Sequence, residues 1–161
     1  MQTPRTILAI AITIGVLLLP SALRSQAEAS WVGTWRLNLA KSAYNPGPPP
    51  FKSAVSKIEQ SENGLTIIYD MVGPRGQTAH REWTGKFDGR DYAVEGVDYV
   101  LTNAYSQVAE RTYKVVVKVD GEVTSIATIV IAPDGKSMTT VTAGRNAQGR
   151  EVNTTTVYDK Q

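Results

Sequence analysis

The chain has 161 residues, 42% of them hydrophobic and 20% charged, with 17 basic and 15 acidic side chains and a formal net charge of +2. So even a balance, with the signs interspersed and no basic stripe or aromatic RNA-binding signature, disfavours nucleic acid as a partner. No cysteine occurs, which excludes disulfides and a lipid-modified cysteine and leaves stability to the core alone.

A polar start carrying Arg5 leads into the apolar run ILAIAITIGVLLL, Ile7 to Leu19, then Pro20 and small residues ending Ala27-Glu28-Ala29. The run is short for a membrane span, and the small-x-small ending fits a cleavage site, so residues 1–29 read as a cleaved secretory signal peptide. The address implied is periplasmic or extracellular, with no membrane anchor after cleavage. Setting aside Arg5, Arg24 and Glu28 reduces the 17 basic and 15 acidic side chains to 15 and 14. Residues 30–161 are long enough to bury a core without covalent staples and are expected to form a single domain.

From Trp31 onward, turn signals recur at regular intervals: Glu62-Asn63-Gly64, Gly73-Pro74-Arg75-Gly76, Asp88-Gly89, Asp120-Gly121, Pro133-Asp134-Gly135 and Gln148-Gly149. Asn-Gly and Asp-Gly supply the positive φ angles of tight hairpins. The segments between them alternate or are β-branched, and none holds a 3.6-residue period, so the pattern is a β-meander. Ten strands are predicted, over 32–39, 53–60, 65–72, 77–87, 90–95, 98–105, 111–119, 122–132, 137–143 and 151–158. In the clearest, RTYKVVVKV, Tyr113, Val115, Val117 and Val119 share an inward face, and Arg111 falls on the same face by spacing. Leu65, Ile67, Tyr69 and Met71 face inward on another strand, Trp83 with Phe87 on a third and Tyr99 with Leu101 on a fourth. The faces of Glu122 to Ile131 stay ambiguous. A meander of this length closes on itself, because an open sheet would leave two exposed edges.

Between the first two predicted strands, AKSAYNPGPPP (Ala40 to Pro50), with four prolines in its last five positions, cannot be a pair of helices. It reads as an extended strap, either a solvent-exposed connector or a lid over one end of the barrel.

The first strand, WVGTWRLN (Trp31 to Asn38), carries Gly33-Thr34-Trp35 continued by Leu37 and Leu39. A Gly-x-Trp on the first strand of an all-antiparallel meander resembles the lipocalin and fatty-acid-binding (calycin) superfamily of small barrels. That resemblance implies that Trp35 closes the barrel floor. Where fatty-acid-binding proteins hold a carboxylate with Arg-x-Tyr on the last strand, this chain has Thr156-Val157-Tyr158, without the arginine. Lipocalins often lay a late arginine across the floor tryptophan. Here Arg145 and Arg150 both sit beside a turn and only Lys160 follows Tyr158, which implies a floor closed in another way. The sequence also resembles a group of small exported bacterial proteins with a W-x-G-T-W start, an N-P-G-P strap and a V-Y-D-K-Q ending.

His80, the single histidine, alternates against Trp83 and so points outward. One imidazole is too few for a metal site, and no G-x-S-x-G elbow accompanies it, so neither a metal nor a catalytic residue is assigned. Asp88-Gly89-Arg90-Asp91 lacks the dense oxygen ligands of a calcium loop and reads as a hairpin turn. The aromatics Trp35, Tyr69, Trp83, Tyr99, Tyr105, Tyr113 and Tyr158 would either line a cavity or fill a solid core. Arg111 would be either a polar anchor for a ligand or a rim residue reaching solvent.

The expectation is therefore an all-β, roughly ten-stranded lipocalin-like barrel, preceded by a signal peptide, that binds or carries a small, largely apolar ligand. No cofactor or catalysis is expected, and no protein partner is specified. Trp35, Tyr69, Trp83, Tyr99, Arg111, Tyr113 and Tyr158 are the ligand-binding candidates. A filled barrel acting as an interaction module of the cell envelope is the alternative, and interior volume discriminates between the two.

Overall fold

A computed structural model describes residues 30–62, 64–145 and 149–161. The signal peptide expected over residues 1–29 lies outside the described residues, as do Asn63 and Gln148 of two expected turns. The described strands form one antiparallel sheet: β1 (Gly33–Leu37), β2 (Ala43–Asn45), β3 (Ser53–Ser61), β4 (Gly64–Val72), β5 (Thr78–Gly85), β6 (Tyr92–Glu95), β7 (Leu101–Ala109), β8 (Thr112–Val119), β9 (Glu122–Ile131), β10 (Ser137–Arg145) and β11 (Glu151–Lys160). From β3 to β11 each strand pairs with its neighbours in chain order, and β1 pairs with both β3 and β11, so the sheet closes into a barrel.

Ten staves make the ring, because β1 and β2 are two halves of one. Trp35, Arg36 and Leu37 face Lys160, Asp159 and Tyr158 of β11, and further along the same edge Ala43, Tyr44 and Asn45 face Thr155, Thr154 and Asn153. A single 3-10 turn, Leu39–Lys41, separates the halves, capped by the Asn38 side chain, which accepts from the Lys41 amide at 3.1 Å. Ser42 bridges the break: its hydroxyl accepts from the Val157 amide at 3.0 Å, while the Asn38 amide donates to the Val157 carbonyl at 2.8 Å. The backbone groups that the turn would orphan are thus satisfied.

Of the strap expected over Ala40 to Pro50, residues 43–45 form β2, and residues 46–50 are an exposed connector that returns to the barrel at Phe51, which packs on Leu37, Ala54 and Met71.

Two register shifts disturb the alternation. One in β7 between Gln107 and Ala109 leaves Val108 exposed, and one between β8 and β9 at Val117 and Lys118 leaves Val123 exposed. Beyond the second, β9 turns Ala127, Ile129 and Ile131 into the core and Ile126 and Val130 to solvent, which resolves the faces left open by the sequence. The weakest seam is β6, joined to β5 only through Glu82–Glu95 and Trp83–Val94 and to β7 only through Tyr92–Asn103 and Ala93–Thr102.

One end of the barrel is packed solid. Trp31, Trp83, Phe87, Tyr105 and Tyr113 interlock with ring centroids 4.7 to 6.3 Å apart, mostly tilted or edge-on. Such contacts add about 0.5–1.5 kcal/mol per pair beyond the area they bury. Beside them Trp35 is fully buried, and its indole N–H donates to the Trp31 carbonyl at 2.8 Å. Across its ring lies Lys160, with Nζ 4.9 Å from the centroid. Trp35 thus lies buried at this packed end, and the basic residue over it is a lysine from the end of the last strand.

Candidate functional site

Above this floor the side chains no longer meet, and a cavity of about 230 Å³ remains. A ten-stave barrel encloses more volume than its own side chains fill, whereas eight staves are just filled. The apolar part of its wall comes from Ile58 on β3, Ile67 on β4, Val115 and Val117 on β8, Ala127 and Ile129 on β9, and Met138 on β10, with Trp31 below. Hydroxyls complete it: Ser56, Tyr69, Tyr105, Ser125, Thr140, Thr142, Thr156 and Tyr158. No charged side chain is among the lining residues.

The tyrosines organise the polar part. Tyr69 and Tyr105 share a hydrogen bond of 2.7 Å between their hydroxyls. Burial pushes Tyr69 well above its ordinary value, reinforced by the neighbouring Tyr105 and Tyr158. Burial also lifts Tyr105 to about 12, against hydrogen bonds from Tyr69 and Asn103 that favour the phenolate. Tyr158 is raised to about 12, first by burial and then by the proximity of Tyr44 and Tyr105. All three are therefore neutral hydrogen-bond donors near neutral pH.

At the rim opposite the floor, an open groove of about 630 Å³ runs past Asn45, Thr124, Ile126, Gly144, Arg145 and Glu151. Ser125 borders both this groove and the interior cavity.

Of the residues singled out from the sequence, the ligand-binding candidates Tyr69 and Tyr158 line the cavity, as does Tyr105 from the wider aromatic set. Trp35, Trp83 and Tyr113 are fully buried in the packed end and do not border it. Tyr99 was expected on an inward strand face, but β7 begins only at Leu101. Tyr99 is instead 42% exposed in the preceding loop, its hydroxyl accepting from Arg81 Nη2 at 3.4 Å. Arg111 was expected to share the inward face of Tyr113. It occupies the β7–β8 turn with φ 54°, and its guanidinium is 39% exposed and paired with Glu110 at 3.3 Å. A left-handed turn residue does not continue the alternation of the strand that follows it, so the spacing argument fails at that residue.

His80 points outward as expected and bonds Asp70 across the β4–β5 pair, Nδ1 to Oδ1 2.7 Å. The Asp88 carboxylate accepts from the Arg90 amide and the Tyr92 hydroxyl, both at 3.0 Å, as a turn residue does. Among the described residues no group of three or more His, Cys, Asp or Glu could hold a metal ion.

Ser56, Met138, Thr140 and Thr156 were not singled out from the sequence. Ser56 is buried between Ala54 and Ile58 on the inward face of β3, and its place in that alternation was a readable signal. Thr140 and Thr156 lie opposite each other in β10 and β11, where threonines occupy both faces and alternation says little.

The fold is an up-and-down barrel, ten antiparallel staves in chain order closing first on last. No family model matches the chain, and no curated protein matches it significantly. Among solved structures it is similar to the zebrafish ileal bile acid-binding protein complexed with cholic acid, at 13% identity and a TM-score of 0.49, over 82% of this chain and 99% of that one. It is also similar to the siderocalin Ex-FABP, at 12% identity and a TM-score of 0.35, over 82% of this chain and 71% of that one.

Proposed function

We infer that the protein is an exported binding protein that holds one small, largely apolar molecule in the open half of its barrel. The observation that carries this reading is the cavity of about 230 Å³ between the aromatic floor and the rim. A side-chain-filled barrel would have no such space, and the void sits where apolar walls converge on a few placed hydroxyls, the usual composition of a ligand site. Export rests on the sequence of residues 1–29. Catalysis is not part of the proposal, since among the described residues no carboxylate, imidazole or amine borders the cavity.

A second reading is favoured by a different surface. The outer face of β9 and β10 exposes Ile126, Val130 and Val141, interspersed with Thr128 and Thr139, with charges only at its margins, at Lys114, Glu122 and Arg145. Such a wall suits an interaction module of the envelope, with the interior incidental.

Native mass spectrometry of the protein recovered from its own host separates the two. The binding reading expects a stoichiometric small molecule that is absent from an Ala127→Trp variant, in which the new ring occupies the cavity. Ligand-free protein in both cases, with a protein retained on the wild-type outer wall and lost on Val130→Lys, would favour the module instead.

A further inference from the structure

The interior specifies more than apolarity. Its volume, about 230 Å³, lies below the roughly 300–1,000 Å³ of sites for drug-sized ligands. It exceeds the roughly 150 Å³ of an engineered apolar cavity that accepts benzene. One substituted ring fits that interval, whereas a long acyl chain or a fused polycycle does not.

The wall also excludes charge. Among the described residues no lysine, arginine or histidine borders the space: Lys160 is laid across Trp35 at the floor, Arg111 is in an external turn, and His80 faces solvent. An anion entering this cavity would lose its hydration with no cation to replace it.

What the wall offers is protons. In the Tyr69–Tyr105 pair one hydroxyl donates to the other, whichever way it is oriented, so one of the two O–H groups keeps its proton for another acceptor. The Tyr158 hydroxyl, on the same wall, has no hydrogen-bonding partner among the described residues. The tyrosines thus offer two protons, beside the serine and threonine hydroxyls, to a cavity whose remaining surface is mostly apolar.

Building on the interior binding inferred above, we propose that the ligand is an uncharged, single-ring-sized molecule whose carbonyl, ether or hydroxyl oxygen accepts hydrogen bonds from Tyr158 and from the Tyr69–Tyr105 pair. A carboxylate of the same size is rejected, and so is a longer amphiphile. Specificity then comes from a neutral acceptor read in a dry site, where an unmade hydrogen bond counts against the wrong ligand.

Three probes of nearly equal size test this by calorimetric titration of the purified protein at neutral pH: acetophenone, benzoate and ethylbenzene. Acetophenone is expected to bind at least about tenfold more tightly than either of the others, in line with one well-made hydrogen bond to a buried donor. Tyr158→Phe removes a hydroxyl that has no described protein partner, so the fold and its thermal midpoint should be retained. It is expected to narrow the gap between acetophenone and ethylbenzene, the Tyr69–Tyr105 donor remaining in place, while leaving ethylbenzene unchanged.

Benzoate binding as tightly as acetophenone would overturn the proposal, as would acetophenone binding that ignores Tyr158→Phe. If ethylbenzene and acetophenone bind equally, and Ala127→Trp abolishes both, interior binding stands and the neutral-acceptor inference falls. If none of the three binds, both fall together.

Discussion

Lys160 spans the ring of Trp35 with its ammonium 4.9 Å from the centroid, while the indole N–H on the ring's edge donates to Trp31. The lysine stem also covers Gly33, where an added Cβ would meet Lys160 Cε at 2.6 Å. The two contacts are unequal in weight. Trp35→Ala should lower unfolding free energy by about 3–5 kcal/mol, as expected for an emptied aromatic site in a core. Lys160→Met keeps the stem and loses only the cation, so it should cost about 0.5–1 kcal/mol. Urea unfolding of the two variants checks the ranking, and equal losses would show that the cation, rather than the ring, holds the floor.

The Tyr69–Tyr105 hydrogen bond is an internal link between β4 and β7 inside the barrel. Removing either hydroxyl takes a hydrogen-bond partner from the other in a poorly hydrated site, so each single Phe variant should cost about 1–3 kcal/mol, with Tyr69→Phe at the lower end because Tyr105 keeps Asn103. The double variant should cost less than the sum, because no hydroxyl is then left unpaired. A double-mutant cycle by thermal or urea unfolding measures this coupling, and strict additivity would mean that the two hydroxyls act independently.

Gly64 and Gly121 both adopt positive φ, at 126° and 83°, yet they predict different losses. A Cβ at Gly64 would strike the Gly85 carbonyl of β5, a backbone group that cannot move away, whereas a Cβ at Gly121 meets nothing. Gly121→Ala should therefore cost only the left-handed conformation, about 1–2 kcal/mol. Gly64→Ala adds a backbone collision and should cost clearly more or prevent folding. Thermal midpoints of the two variants, measured side by side, decide the matter.

Asp159 ties the end of β11 to the break in the first stave. It accepts from Asn38 Nδ2 at 2.6 Å and pairs with Lys41 Nζ at 3.1 Å, and these contacts hold its carboxyl below its ordinary value of 3.8. A carboxylate whose pKa falls on folding adds stability that is fully present above the unfolded value and lost as pH drops through the folded one. Asp159→Asn should be less stable than wild type near neutrality and should lose less on acidification below about pH 4, so that the two converge at the acid end. Thermal midpoints across that range test it; parallel curves would assign the acid limb elsewhere, for instance to Asp88, whose carboxyl is likewise lowered, chiefly by the Arg90 amide.

The sequence was most legible where a turn dipeptide abuts an alternating run. All ten predicted strands are present, most within two residues of their expected ends, because Asp120-Gly121 or Pro133-Asp134-Gly135 leaves a hairpin few other places to bend. Legibility failed where a residue's direction depends on something other than its parity. Arg111 obeys a turn rather than a strand, Tyr99 falls in a loop that the spacing assigned to β7, and β2 is a three-residue strand whose only cue is its partner on β11.

The site was harder to read than the fold for a related reason. Tyr69 and Tyr158 stood out as aromatics at inward positions, but which aromatics fill the floor and which border open space depends on how ten staves tilt around the axis. Trp83 and Tyr113 have the same inward parity as Tyr69 and differ only in height along the barrel. Height is a property of the stagger between strands, and no period within one strand encodes it.

The floor is stitched from both ends of the described chain: the Gln161 amide donates to the Thr34 carbonyl, and the Arg36 guanidinium reaches the Gln161 side chain across 125 positions of sequence. In folding time this makes ring closure a late event. Hairpins from β3 to β11 can form from neighbours, but β1 has no second partner until the last few residues have been placed, and contacts of such long separation are slow to gain. Until then the sheet has two free edges, β11 and whichever side of β1 or β3 is still unpaired, each able to recruit another chain. Residues 158–160, the part of β11 that receives β1, thus decide how long the protein spends as an open sheet before it becomes a vessel.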